Sequence, residues 1–304
     1  MNRSLAKGLA VCGVLLFLQG CASTPAATTG GSVADGELRE TDLDVMFATE
    51  FPVADKAEAL ARAEQAWEAG DVDRALFFYV KALRFDPTDT DLLARIGTIH
   101  RLQGNPQMAV RAYTLALKQN PDHLASLQGR GLVLMAHERD ELAKKDLEQA
   151  LVVDPWAWQV HNGLGMIADR QGDHARAISH YDAALTVRPG SPALLNNRGY
   201  SRFLAGHYDL AIRDLQSAAA GHDYDKAWLN LAKVYGEIRR YDDAFHTYTR
   251  IYDESEALYQ VAEVAARNGD VPEAEAFLRR AIESSPTYFP EAEQSLAQLR
   301  ARGR

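Results

Sequence analysis

The sequence predicts an all-α chain, a solenoid of about seven helical hairpins ended by a C-terminal capping helix, and three observations predict it. Pro87, Pro121, Pro155 and Pro189 stand 34 residues apart, and a fixed period of that length marks a supersecondary unit copied along the chain. Small residues recur at matched positions of the copies. A glycine followed by aspartate or asparagine divides several of them in two.

One unit shows the logic. Residues 158–191 read WQVHNGLGMIADRQGDHARAISHYDAALTVRPGS. Two helical stretches meet at Gly172-Asp173, where glycine supplies the left-handed conformation that ends a helix. Pro189 stops the second stretch, because proline lacks an N–H donor and clashes with the preceding turn. Gly165, Ala177 and Ala184 lie where two helix backbones have to approach closely.

In a single frame the units begin at Lys56, Thr90, Leu124, Trp158, Pro192, Asp225 and Ser255. Position 8 then carries Ala63, Gly97, Gly131, Gly165, Gly199, Ala232 and Ala262. Position 20 carries Ala75, Ala109, Ala143, Ala177, Ala211, Ala244 and Ala274, and position 27 is alanine except at Ile251. A bulky side chain at such a contact would push one helix off the other, and overpacking costs roughly 1–3 kcal/mol per site. Position 24 is large instead (Tyr79, Tyr113, Leu147, Tyr181, Leu215, Tyr248, Leu278), the residue that fills the gap between neighbours. Gly70-Asp71, Gly104-Asn105 and Gly269-Asp270 repeat the internal turn, and Pro286 repeats the stop.

Two units break the pattern. The fifth has Asp223 where proline belongs, and the sixth ends about four residues early, so the register among units 5, 6 and 7 is expected to bend or shift. After Pro290, Ala292, Leu296 and Leu299 share one face of a last helix and charges occupy the other, as a solubilising cap requires.

The period, the paired small residues and the turns resemble the tetratricopeptide repeat (TPR). That resemblance implies a right-handed superhelix whose first helices line a groove with their positions 2, 5, 6, 9, 12 and 13. In units 4 to 6 these positions hold Gln159, Asn162, Met166, Asp169, Arg170, Asn196, Asn197, Tyr200, Phe203, Lys226, Asn230 and Lys233. Asparagine is a poor helix former, so its recurrence on successive helices calls for a use. One use is to donate to and accept from an extended peptide backbone; the other is to stitch adjacent repeats together. Met166, Tyr200 and Phe203 would supply apolar anchors. The basic set of chaperone-tail carboxylate clamps is not matched, since units 1 to 3 offer Glu64, Thr98 and Leu132.

Composition narrows the partner. Acids outnumber Lys and Arg by 42 to 33, a net charge of −9, which argues against nucleic acid or an anionic membrane surface. Arg3 and Lys7 precede an apolar run from Leu9 to Leu18, too short for the roughly 20 residues that span a bilayer and therefore read as a secretory signal over residues 1–20. Leu18-Gln19-Gly20-Cys21 resembles the bacterial lipoprotein box, which implies acylation of Cys21, palmitate included; the alternative is that Cys21 merely ends an ordinary signal. Cys12 is a poorer candidate, because bulky Val11 precedes it. Several acyl chains give a stable anchor where one does not. Ala22 rather than aspartate follows, which by the lipoprotein rule implies the periplasmic face of the outer membrane. Residues 22–36 are rich in Ser, Thr, Gly, Pro and Ala and read as a tether. Leu43, Val45, Met46, Phe47 and Phe51 form an apolar cluster expected to cover the first repeat or to dock in a groove. The expected divisions are thus 1–20, 21–54, an array over 55–288 and a cap over 289–304.

Nothing in the chain composes a catalytic centre. The nine histidines (His100, His123, His137, His161, His174, His180, His207, His222, His246) form no paired metal-ligand spacing. His161 sits at a usually apolar position and reads as a hydrogen-bonded structural histidine. Gly163 and Gly165 lie inside a helical pattern, as packing glycines rather than a phosphate loop. The expectation is a non-enzymatic protein with no cofactor, metal or small-molecule substrate, which binds other proteins.

HNGLGMIADRQGDHARAISHYDAAL and SPALLNNRGYSRFLAGHYDLAIRDL, with the lipoprotein signal and tether, resemble the TadD family of assembly lipoproteins of Flp (tight adherence) pili. The resemblance implies a role at the outer membrane, stabilising or assembling a secretin channel and pilus machinery. Two further resemblances stand beside it: NlpI-type adaptors that recruit peptidoglycan hydrolases or proteases, and type IV pilotins of the PilF and PilW kind.

Overall fold

Turn residues cut the chain at regular intervals, and the computed structural model follows those cuts. It describes residues 52–220 and 224–302, which hold fifteen helices and no strand. The signal-like stretch, Cys21, the tether, the apolar cluster from Leu43 to Phe51, and Asp223 lie outside the described residues.

The helices come as hairpins. α1 (Lys56–Glu68) pairs with α2 (Val72–Phe85), α3 (Thr90–Leu102) with α4 (Pro106–Gln119), and α5 (Leu124–Ala136) with α6 (Asp140–Val153). α7 (Trp158–Arg170) pairs with α8 (His174–Val187), α9 (Pro192–Leu204) with α10 (Tyr208–Ala219), α11 (Asp225–Glu237) with α12 (Tyr241–Tyr248), and α13 (Glu254–Arg267) with α14 (Val271–Ser284). α15 (Pro290–Arg302) follows. Six first helices begin at the residue the repeat frame names. The seventh begins one residue early, at Glu254, because Asp253 caps it by accepting from the Glu256 N–H.

Each internal turn has the same geometry. The residue at position 15 is left-handed: Gly70, Gly104, Gly172, Gly206 and Gly269 have φ of 74 to 78°. Glu138 and Arg239 hold the same place at φ 56° and 62°, at a cost of roughly 1 kcal/mol that glycine would avoid. The following N–H then reaches back five residues, as Asp71 to the Ala66 carbonyl, Arg139 to Leu134 and Asp173 to Ala168, each at 2.9 Å. At the exits, Asp86, Asn120 and Asp154 each accept from the N–H two residues on, across the proline.

Packing explains the small residues. A Cβ on Gly97 would lie 2.8 Å from the Tyr113 ring, and one on Gly199 would lie 2.8 Å from Leu215 Cγ. Position 24 thus fills the space that position 8 vacates, and all seven position-24 side chains are buried. The first helices also touch one another in sequence from α3 to α13, which makes them a continuous wall.

The sixth repeat departs as its early end suggests. α12 has 8 residues where α14 has 14, and its last turn opens into a bend at residues 249–252. Tyr248 and Tyr252 still pack, ring centroids 6.1 Å apart. At the end of the array, α15 buries Ala292 and Leu296 on the last hairpin, with Leu299 packed beside them. No helix among the described residues is long and apolar enough to cross a membrane.

Candidate protein-binding cleft

The wall formed by α7, α9 and α11 carries a cleft of about 370 Å³. Met166, Asp169 and Arg170 enter it from α7, Asn196, Asn197 and Tyr200 from α9, and Lys226, Asn230 and Lys233 from α11, with Tyr181 behind them. The helices repeat at one frame, so equivalent positions stack side by side and any recurring side chain becomes a row.

Asparagine makes such a row. The Asn230 amide donates to Asn196 Oδ1 at 2.8 Å, Asn196 to Asn197 Oδ1 at 3.3 Å, and Asn197 to Asn162 Oδ1 at 3.0 Å. Asn162 in turn donates toward Met166 Sδ at 3.7 Å. Asn196 and Asn230 are 1% and 6% exposed, so their bonds to each other replace water that they have lost. The ladder therefore spans three repeats and forms the cleft floor. Among the described residues, the Oδ1 of Asn230 at its far end accepts no hydrogen bond.

Asp169 is a second hub. Its Oδ2 accepts from Ser201 Oγ at 2.6 Å and from the Tyr181 hydroxyl at 3.0 Å, and its Oδ1 accepts from His174 Nδ1 at 3.0 Å. Burial pushes the Tyr181 hydroxyl far above its ordinary range, and the adjacent Asp169 carboxylate adds to the push, so the hydroxyl remains a donor. Arg170 is pinned as well: it pairs with Asp140 and donates to the Met135 carbonyl.

Nine of the twelve groove residues expected from the sequence line the cleft: Met166, Asp169, Arg170, Asn196, Asn197, Tyr200, Lys226, Asn230 and Lys233. Asn162 adjoins it as the other end of the ladder. Phe203 turns instead between Tyr200 and Tyr208, at 6.0 and 6.2 Å between ring centroids, and packs on the core of the later repeats. Ser201 and Tyr181 were not expected here, and their signal is weak, since nothing in either residue type announces a shared carboxylate. Also unexpected are two buried ion pairs behind the wall. Arg130 holds Asp146 with two bonds of 2.6 and 2.7 Å, and Arg198 holds Asp214 at 2.8 and 2.7 Å.

A second cleft of about 300 Å³ lies in the first three repeats, between Trp67, Tyr79, Ala94, Arg95, Thr98 and Ile99. Its Arg95 is already paired with Glu64. The cleft of repeats 4 to 6 alone combines an amide row with exposed cations. His161 and His180 stand together outside both, Nδ1 to Nδ1 at 3.2 Å, with His161 Nε2 donating to the Pro155 carbonyl at 3.0 Å. Among the described residues, no group of three or more His, Cys, Asp or Glu could hold a metal.

Comparison with known proteins agrees with this architecture. A tetratricopeptide repeat family profile matches residues 129–192, 196–256 and 240–289, more than half of the chain, and a second one matches residues 90–123. Human tetratricopeptide repeat protein 7B is 35% identical over 114 residues, which is 38% of this chain but only 14% of that protein's length. A tetratricopeptide repeat protein from Parabacteroides merdae superposes with a TM-score of 0.57 at 19% identity, covering 80% of this chain and 98% of its own. The type IV pilus biogenesis factor PilW superposes with a TM-score of 0.54 at 19% identity, covering 68% of this chain and 98% of its own. At such identity the two structures speak for the fold alone. With helices, turns and interlocking small residues all in the one register, the chain belongs to the tetratricopeptide-repeat family.

Proposed function

We propose that this chain is a non-enzymatic scaffold that holds an extended segment of a partner protein in the cleft of α7, α9 and α11, and that it does so as an outer-membrane lipoprotein in assembly of a Flp-type pilus secretin. One observation carries the binding reading. The cleft floor is an amide ladder, bonded along its length and open at Asn230 Oδ1, which can take a peptide N–H without demanding a particular side chain. Preorganised amides cost little to order on binding.

The setting is supported by the signal, Cys21 and Ala22 of the N-terminus and by the TadD-like stretch around Asn196-Asn197-Arg198-Gly199. Periplasmic crosslinking followed by pull-down tests it: a secretin or pilus assembly protein should be captured, and Cys21→Ser should release the chain from membranes. Capture of cell-wall hydrolases would move the reading to an NlpI-like adaptor. A type IV pilotin role is a second reading, favoured by the likeness in fold to PilW over nearly all of that chain. It fails if deletion leaves secretin multimers intact.

A further inference from the structure

Of the charged residues that line the cleft of α7, α9 and α11, two are committed inward. Asp169 is satisfied by three donors, and Arg170 is held by Asp140 and the Met135 carbonyl. Lys226 and Lys233 differ. Both are exposed, and neither makes an ion pair among the described residues. With Asn230 between them they stand at i, i+4 and i+7 on one face of α11, the two lysines about 10 Å apart along the helix axis. This concentration of positive charge occurs in a chain whose net charge is −9.

From this juxtaposition we infer that the cleft selects an acidic partner segment: an extended peptide whose aspartate or glutamate side chains meet Lys226 and Lys233 while a backbone N–H donates to Asn230 Oδ1. The inference rests on the reading of the cleft as a peptide site and adds its charge specificity. Side chains three residues apart in an extended polyproline II segment lie on one face about 9 Å apart, close to the lysine separation. The ammonium groups steer such a segment in and reject a basic one, because like charges at an interface are costly. The amide row contributes contact that is indifferent to sequence.

Fluorescence anisotropy with the full chain tests this, using three labelled peptides that differ only at two positions three residues apart: both Glu, both Gln or both Lys. The Glu peptide is expected to bind at least about tenfold more tightly than the Gln peptide at low salt, and to lose that advantage as salt is raised. Lys226→Glu with Lys233→Glu, two exposed changes whose folding is checked by circular dichroism, should transfer the preference to the Lys peptide. Equal binding of the Glu and Gln peptides overturns the acidic specificity and leaves the peptide cleft standing. An unchanged preference in the charge-reversed variant overturns it too, by placing the acidic site elsewhere. If no peptide is held, the cleft reading falls along with it.

Discussion

Gly165 and Tyr181 meet face to face across the α7–α8 hairpin: a Cβ built on Gly165 would lie 2.7 Å from the Tyr181 ring. The ring has nowhere to go, because it is 1% exposed and its hydroxyl is held by Asp169. Alanine is the better helix former by about 1 kcal/mol, but overpacking a fixed ring costs about 1–3 kcal/mol. Gly165→Ala is therefore expected to lower the urea midpoint, and Gly165→Val to lower it further. A midpoint raised by the alanine would show that propensity, not contact, governs this site.

The ladder makes a different prediction. Asn196→Ala removes the acceptor of buried Asn230 and the donor to Asn197 at once, and a buried polar group left unpaired costs about 1–3 kcal/mol. Asn162→Ala, at the end of the row, removes the acceptor of Asn197 and a weak contact to Met166 Sδ, on a residue that is only half-buried, and should cost less. If the row acts as a unit, Asn196→Ala and Asn230→Ala together should cost less than the sum of the two singles, which denaturant unfolding of the three variants can read.

These two sites show what a linear chain displays and what it hides. Gly165 was legible, because a contact between backbones restricts volume and the restriction recurs every 34 residues. The helix starts were legible for the same reason. The asparagines were visible as a row, but whether an amide faces a neighbour or a guest is settled by side-chain torsions that no spacing encodes. Glu138 and Arg239 hid a left-handed backbone behind ordinary residue types; only the column they share with Gly70 and Gly172 betrays it. Arg130 with Asp146 and Arg198 with Asp214 were hidden differently. They occupy matching positions in alternate repeats, so their period is twice that of the array.

Those ion pairs are expected to matter for stability. Asp214 is 5% exposed and takes bonds from both Arg198 and Arg202. Asp214→Ala leaves two guanidinium groups facing each other without their carboxylate, although Asp182 remains beside Arg198. Breaking one side of a buried pair costs about 3–5 kcal/mol, and the partial exposure of the arginines puts the expectation at the lower end. Asp146→Ala strands one arginine only and should cost less. Thermal unfolding of the two variants decides the order, and equal losses would show that Arg202 adds nothing.

His180 predicts a pH dependence. Its Nδ1 faces His161 Nδ1 at 3.2 Å, and His161 Nε2 donates to the Pro155 carbonyl, so the neutral pair is one in which His180 donates. Burial pushes His180 below its ordinary value of 6.5, and His161 and Arg176 add to the depression; Lys144 and Glu148 face it from α6. In the unfolded chain the same imidazole takes up a proton as the pH falls through 6.5, while the folded one stays neutral. The stability this group contributes is therefore complete above 6.5 and is lost as acid is added, until the lowered folded value is reached. While only the unfolded imidazole is protonated, the loss approaches about 1.4 kcal/mol per pH unit. His180→Gln removes that titration. Its melting temperature should fall less steeply than the parent's between about pH 7.5 and 5.5, the window in which histidine changes charge. Parallel curves for the two proteins would assign the acid sensitivity of the array to other groups.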